Sequence, residues 1–358
     1  MFFEGIEISR IVFIINFILI IVIIFWGRNR PARSTMMWVM VMALLPIGGF
    51  FFYLLIGADT RRSNMFHLKE SQDEKIRELT AQQVAEIEEI NMTFSGSTYE
   101  DYFELATFAL NVDHSVISYQ NDWKLFFDGH EKFDSLCDDI DRAEESICIQ
   151  YYIMSSDDLG KRVMHHLILA AQRGVHVRFL VDAFGGRSLR DRDMETMEAY
   201  GIEVAIFFPS ILKHFNLRMN YRNHRKLVII DDYIGYIGGF NVGDEYLGKN
   251  KRFGYWRDTH LRIEGEGTSE LKIRFLQDWY HASGKDPEDE PEIQMHPYIE
   301  GNAPMQLITS GPDTTYDNIK YAMMKMISIA KHSIIIQTPY LVPDIAFMYT
   351  LLLALNQG

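Results

Sequence analysis

Residues 224–241 read HRKLVIIDDYIGYIGGFN (His224 to Asn241), which fits H-x-K-x4-D followed by G-G-x-N. His224 and Lys226 are two apart, so on an extended strand they face the same side. Leu227-Val228-Ile229-Ile230 is continuous, apolar and β-prone, as a buried central strand should be. Asp231-Asp232 ends it with turn chemistry. Gly238 and Gly239 let the backbone come close to a ligand, and Asn241 supplies an amide. A nucleophile, a cation and an acid on one strand are the parts needed for chemistry on a phosphate.

From average composition, H-x-K-x4-D arises by chance in roughly one chain in several tens of this length. The G-G-x-N at this spacing, with Asn223 before it and Gly243-Asp244-Glu245-Tyr246 after, removes that coincidence. The bland alternative is a core histidine. A buried strand, however, has no packing reason to carry His, Lys and Asp together.

The motif resembles the H-K-D signature of the phospholipase D superfamily, and the wider sequence is similar to bacterial cardiolipin synthases. The resemblance rests on Phe127-Asp128-Gly129, Ser146 to Ile153, Asn220 to Lys226, Gly243 to Gly248, Trp256 to His260 and Gln337-Thr338-Pro339-Tyr340. It implies an α/β fold, a phospholipase D-type mixed sheet flanked by helices. One half is complete, the second is incomplete, and a two-helix transmembrane hairpin precedes both.

Composition bounds the rest. A chain of 358 residues, 47% hydrophobic and 13% aromatic, is not disordered. A net charge of -14 argues against a general nucleic-acid binder. Cys137 and Cys148 have no metal or redox spacing. Residues 11–26 carry one polar residue, Asn16, and no charge; residues 36–57 carry no charge. Both are near bilayer length, and the start is not that of a cleaved signal. They predict a membrane hairpin joined by residues 28–35. The flanking positive charges are nearly balanced: Arg28, Arg30 and Arg33 against Arg10, Arg61, Arg62 and Lys69. The expected location is the cell membrane, multi-pass, with the catalytic domain in the cytoplasm.

Four regions follow: a hairpin over 1–60, a helical linker over 61–110 (residues 68–92 above all), a first half over 111–290 and an incomplete second half over 291–358. Residues 284–292, acidic and Pro-containing, mark the boundary. Within the first half, alternating helices and strands are expected from residue 131 to 208. The second half echoes the first: Ala330 to Gln337 repeats the pattern of Ala143 to Gln150. A second H-K-D is expected some fifty residues beyond Gly358, outside this sequence.

What the resemblance implies is two histidines working in turn. One attacks phosphorus to give a phosphohistidine, and the other protonates the leaving alkoxide and then activates the incoming alcohol. No metal and no cofactor is implied. The candidate catalytic set is His224, Lys226, Asp231, Asn241 and Asp258. Lys226 and Asn241 would bind phosphate oxygens, and Asp258 would orient the imidazole. Asp231 is also read as a structural turn acid. Tyr221, Arg222, Arg225, Gly238 and Gly239 are candidate substrate-binding residues, and Lys213 and Arg218 add to a locally basic surface. Three readings remain open: a cardiolipin synthase-type phosphatidyltransferase that joins two phosphatidylglycerols and releases glycerol; a phospholipase D-like phosphodiesterase; and an inactive remnant. The expected partners are membrane phospholipids and the bilayer, with no nucleic acid. A two-fold homodimer can bring two copies of a single motif face to face.

Overall fold

The computed structural model describes residues 12–22, 24, 32–53, 100–208, 222–285, 301–311, 314 and 316–357. The linker over 68–92, residues 286–292 of the expected boundary, and Tyr221, Lys213 and Arg218 lie outside the described residues. The chain divides into two compact units.

The first unit holds α1 (residues 12–22), α2 (Ala32–Leu44) and α3 (Gly48–Phe52). The second apolar run was expected to start at Met36 and continue to 57. It becomes helical already at Ala32 and breaks after Leu44, where Pro46 has no N–H to give and Ile47 turns left-handed with φ 63°. Asn16, the polar residue of the first run, resolves this break. Its amide donates to the Met42 carbonyl at 3.1 Å and accepts from Ile47 N–H at 3.2 Å. Leu19, Ile20, Trp38 and Phe50 pack on Met42 and Tyr53, while Phe13, Phe17, Met36 and Met40 face outward. Among the described residues, no helix is long and apolar enough to cross a membrane.

The second unit is built on seven strands: β1 (Asn121–Asp128), β2 (Ser146–Tyr151), β3 (His176–Asp182), β4 (Glu203–Phe207), β5 (Leu227–Ile230), β6 (Ile234–Gly238) and β7 (Arg257–Gly265). Their spatial order is β1-β7-β6-β5-β2-β3-β4. β2, β3 and β4 run parallel, and the other pairings are antiparallel, so the sheet is mixed. The apolar run of the motif is β5, fully buried at the sheet's centre. A tight turn follows it, with Asp231 and Asp232 both left-handed at φ 51° and 53°. Short polar side chains tolerate that conformation best after glycine.

Helices α5 (Gly129–Arg142) and α6 (Asp158–Gln172) cover one part of the sheet, α7 (Asp191–Ala199) lies by β4, and α8 (Gly267–Ser283) packs on β4, β5 and β7. α5 is capped by Asp128, whose carboxylate accepts from His130 and Glu131 N–H. Its inner face, Phe133, Leu136 and Ile140, is fully buried. α4 (Glu100–Asp113) precedes β1; α9 (Asn318–Ile329) and α10 (Ile345–Asn356) end the chain. Residues 334–337, expected as a strand from the internal echo, join no ladder among the described residues, and Ile335 is 91% exposed.

Candidate active site

The parallel strands β2 and β3 end at Tyr151 and Asp182, and the antiparallel β5 and β7 begin at the same side of the sheet. Side chains beyond the carboxyl ends of parallel strands share a crevice, the usual place for a site in such folds. His224 and Lys226 sit there, in the extended segment just before β5 rather than inside it. Asp182, 1% exposed, fixes this segment: one oxygen accepts from Asn223 N–H at 3.0 Å, the other from Phe184 and Gly185 N–H at 2.8 and 3.1 Å. One carboxylate thus ties the end of β3, the 184–185 turn and the motif together.

The His224 ring lies 4.4 Å from the Tyr152 ring, and its Nδ1 is 3.0 Å from Lys226 Nζ. Lys226 also donates to the His224 carbonyl at 2.7 Å and sits 5.3 Å from the centre of the Tyr152 ring. His224 is exposed to solvent on one side. Desolvation by its neighbours, then the Lys226 charge, lowers its pKa, and Asp182 opposes the shift. Burial pulls Lys226 down to about 8, with Asp258 opposing. The consequence is chemical. A charged Lys226 donates to Nδ1, which leaves the proton of a neutral imidazole on Nε2, ready to donate. For Nε2 to attack, the imidazole proton must sit on Nδ1, which follows when the charged Lys226 turns from Nδ1 to phosphate oxygens.

The other expected residues separate into two groups. Asp258 is at this end of the sheet, but its carboxylate accepts from Thr259 N–H at 2.7 Å and no hydrogen bond to His224 is present. Its influence falls on Lys226. Asn241 is at this end too, holding two loops together: it accepts from Ile153 N–H at 3.0 Å and donates to the Tyr246 hydroxyl at 2.8 Å. Asp231 stands at the opposite end of β5. It accepts from the N–H groups of Glu144, Glu145 and Ser146 at 2.9, 2.8 and 2.8 Å, and is therefore a sheet-end anchor away from the site. Arg225 is likewise not free for substrate: its guanidinium pairs with the buried Asp278 at 3.0 Å. Arg222 stays near the site, 4.0 Å from Asp182.

Gly238 and Gly239 do admit a close approach, but of protein rather than ligand. A Cβ at Gly239 would stand 2.0 Å from the Asp258 carboxylate, and one at Gly238 would stand 2.5 Å from His260 Cα.

Composition and spacing gave no reason to single out Tyr152, Asp182, His260 or Asp278. Asp278, 1% exposed, gathers Gln150, Asn223, Arg225 and Arg274. Those cations and amides hold its carboxyl, against the pull of burial, at about 2. His260, 1% exposed, has neither ring nitrogen hydrogen-bonded. Burial, with Lys132 and Lys226 nearby, keeps it neutral. Among the described residues, no cluster of His, Cys, Asp and Glu could hold a metal ion.

Comparison with known proteins bears on this geometry. The family described as a cardiolipin synthase, phospholipase D-like domain matches residues 136–279, and a phospholipase D-nuclease N-terminal family matches residues 14–57. The chain is 41% identical over 348 residues to cardiolipin synthase 2 of Staphylococcus epidermidis, covering 97% of this chain and 71% of that protein. It is 41% identical over 351 residues to the major cardiolipin synthase of Bacillus subtilis, covering 97% and 72%. A solved structure, the phosphatidylserine synthase of Haemophilus influenzae, shares the fold with a TM-score of 0.51 at 14% identity, over 71% of this chain and 64% of that one.

Proposed function

Because the chain belongs to the bacterial cardiolipin synthases of the phospholipase D superfamily, we propose that it transfers a phosphatidyl group from one phosphatidylglycerol to another, forming cardiolipin and releasing glycerol. The observation that carries the reading is the His224–Lys226 pair at the carboxyl end of the sheet, 3.0 Å apart under Tyr152. In the first step His224 Nε2 attacks phosphorus and the bond to the glycerol oxygen breaks. The leaving alkoxide takes a proton from an acid. In the second step a hydroxyl of another phosphatidylglycerol attacks the phosphohistidine, gives its proton to the base formed in step one, and frees His224. Lys226 supplies positive charge to the phosphoryl oxygens, whose negative charge peaks in each transition state.

The acid is a second histidine of the kind the superfamily resemblance implies. Either residues beyond 358 or the motif of a second copy in a two-fold dimer would supply it. The run over residues 11–57 is read as a membrane anchor that keeps the protein with its lipid substrates. The outward Phe and Met side chains of α1 and α2, together with the family match over 14–57, support this.

The test uses purified protein with phosphatidylglycerol vesicles. Cardiolipin and glycerol in equal amounts are expected. Phosphatidic acid as the only lipid product would replace the transferase with a hydrolase. Deleting residues 1–60 is expected to release the rest from carbonate-washed membranes; retention would count against an anchor confined to the hairpin.

A further inference from the structure

A membrane tether keeps a protein near its lipids without deciding which face of the protein meets them. Lipid phosphodiesters lie in the headgroup layer, so a site that works on them must be brought to that layer.

The loop over residues 246–257 reads YLGKNKRFGYWR. It leads into β7 at the end of the sheet that carries His224 and Lys226. Tyr152, beside His224, lines one cleft of about 630 Å³ together with Lys249 and Asn250, so the loop borders the site. The loop is a built turn. The Asn250 carbonyl accepts from Phe253 and Gly254 N–H at 3.1 and 2.8 Å, and its side chain accepts from Arg252 N–H at 2.9 Å. Gly248 and Gly254 supply the left-handed φ of 72° and 65° that the turn requires. The Trp256 ring packs 5.0 Å from that of Tyr246, and the Phe253 ring 5.7 Å from that of Trp256. Asn241 holds the Tyr246 hydroxyl at 2.8 Å. Contacts therefore run without a gap from the tip of the turn to the loops of the site.

What this turn presents outward is both aromatic and basic. Phe253 and Tyr255 are 51% and 67% exposed. Phe127, whose carbonyl meets the Tyr255 hydroxyl at 3.5 Å, is 44% exposed. Lys251, Arg252 and Arg257 stand exposed among these rings. The Arg252 guanidinium lies 5.7 Å from the centre of the Phe253 ring, and that of Arg257 lies 5.0 Å from that of Phe127. The loop holds four cations and no acid, in a chain of net charge -14. Lys249 is taken by Asp244 at 3.0 Å and Asp158 at 3.5 Å. Lys251, Arg252 and Arg257 have no ion pair among the described residues, and Arg257 donates to the neutral Gln337 side chain at 2.9 Å. The neighbouring acids are largely engaged. Asp128 caps α5, and Asp258 lies against Gly239 and accepts from Thr259 N–H. That leaves one carboxylate, Glu245, to set against three cations.

Exposed rings gathered in one place mark a contact surface. Rings interleaved with unmatched cations fit the boundary between headgroups and acyl chains, where the rings bury and the cations meet lipid phosphates. We propose that the turn over residues 251–257, with Phe127 beside it, is a membrane-docking face that seats Phe253 and Tyr255 in the headgroup boundary of an anionic bilayer and so brings His224 to the lipid phosphates. A protein partner would have to match three cations as well as the rings, whereas an anionic bilayer matches both at once. The identity of the lipid as phosphatidylglycerol rests on the phosphatidyltransferase reading; the docking face rests on the turn itself.

The test uses the whole chain in vesicles of phosphatidylglycerol and phosphatidylcholine that carry a nitroxide-labelled lipid. Cys137 and Cys148 are buried, so a polarity-sensitive dye attaches selectively at Phe253→Cys. The control position is Glu144→Cys, exposed near Asp231 at the opposite end of the sheet. The dye at 253 is expected to shift to the blue and be quenched by the nitroxide, and the dye at 144 to do neither. Equal quenching at both positions, or none at 253, would overturn the docking face. A blue shift without quenching would mean that protein, a second copy or another segment, covers the turn, and would overturn it too. Lys251→Gln with Arg252→Gln in the labelled chain is expected to reduce the quenching, as is replacing phosphatidylglycerol by phosphatidylcholine; quenching indifferent to both would sink the role of the cations. In the unlabelled chain the same pair is expected to raise the mole fraction of phosphatidylglycerol at half-maximal turnover about tenfold. An unchanged fraction would break the link between docking and the site. Quenching needs no turnover, so a protein that is quenched at 253 but forms no cardiolipin fails the transferase reading and keeps the docking face. Lys251 and Arg252 are exposed, so their replacement does not threaten folding.

Discussion

At position 226 a cation is taken out of water and then required to hold an anion. Burial lowers the Lys226 ammonium to about 8. Only the charged form stabilises phosphate oxygens, so turnover is expected to fall as pH rises through about 8. Lys226→Arg keeps its charge through that range, and a pH–rate profile should show the alkaline limb move upward. A limb that stays near pH 8 would assign it to another group. His224→Ala is expected to cost about 10³-fold or more in turnover, because nothing else near the site can form or protect the phosphohistidine. Asp278 offers a stability counterpart. Its carboxyl, ordinarily at 3.8, is held at about 2 in the fold. A depressed carboxyl stabilises the fold fully above its unfolded value and loses that contribution as pH falls towards its folded value. Asp278→Asn should therefore flatten the acid slope of stability between those limits. It should also cost about 3 kcal/mol in urea unfolding at neutral pH, since Arg225 and Arg274 lose their buried partner. Residues on the motif were legible because their spacing is local. Arg225 was misread because the carboxylate that claims it lies 53 positions away. Tyr152 and Asp182 were passed over because an aromatic or an acid at a strand end carries no signal until the sheet is assembled.

The same contrast holds for the elements. β5 was readable from its apolar run Leu227 to Ile230, and β2, β3 and β4 fall within the stretch from 131 to 208 where alternating helices and strands were expected. β1, β6 and β7 were not singled out. β7 reads RDTHLRIEG, charged along its length, and β6 has two glycines in five residues. What makes β7 a strand is its pairing with β6 and β1 on either side. Gly238 and Gly239 permit that pairing by leaving room for His260 and Asp258. This packing is testable. Asp258 raises the Lys226 ammonium against burial. Asp258→Asn keeps the shape and removes the charge, so Lys226 should deprotonate lower still, and the alkaline limb should move below pH 8. A limb left in place would show that Asp258 does not act on Lys226. Residues 334–337 failed as a strand for the reason that β7 succeeded. An apolar run needs a neighbouring edge to pair with, and neither edge of the described sheet, β1 or β4, pairs with Ile334, Ile335 or Ile336.

For the molecule as a whole, the last described segments are held very unevenly. Residues 303–309 are stitched across the first half. Ser118 and Met305 exchange backbone hydrogen bonds at 2.9 and 2.8 Å, and Asn121 donates to the Ala303 carbonyl at 2.9 Å. Gln306 donates to the carbonyls of Ala106 and Ser115, and Thr309 bonds Asp113. α9 then packs on α4. Beyond it the picture changes. Val342 is 90% exposed and Tyr340 82%, and α10 leaves Leu353 and Leu355 outward at 65% and 77%. Backbone with few partners opens locally at low cost, and proteases cut such openings first. The expectation from sequence is a poorly stable C-terminal segment from about Met305. The hydrogen bonds move that point onward. Limited proteolysis with chymotrypsin is therefore expected to cut first between residues 331 and 344, at Tyr340 or Leu341, releasing α10 while the 303–309 segment stays protected. Mass spectrometry of the early fragments reads the site directly. A first cut between residues 301 and 310 would mean that the stitching to Ser118 and Asn121 contributes little, and that the second half loosens as one piece from its start.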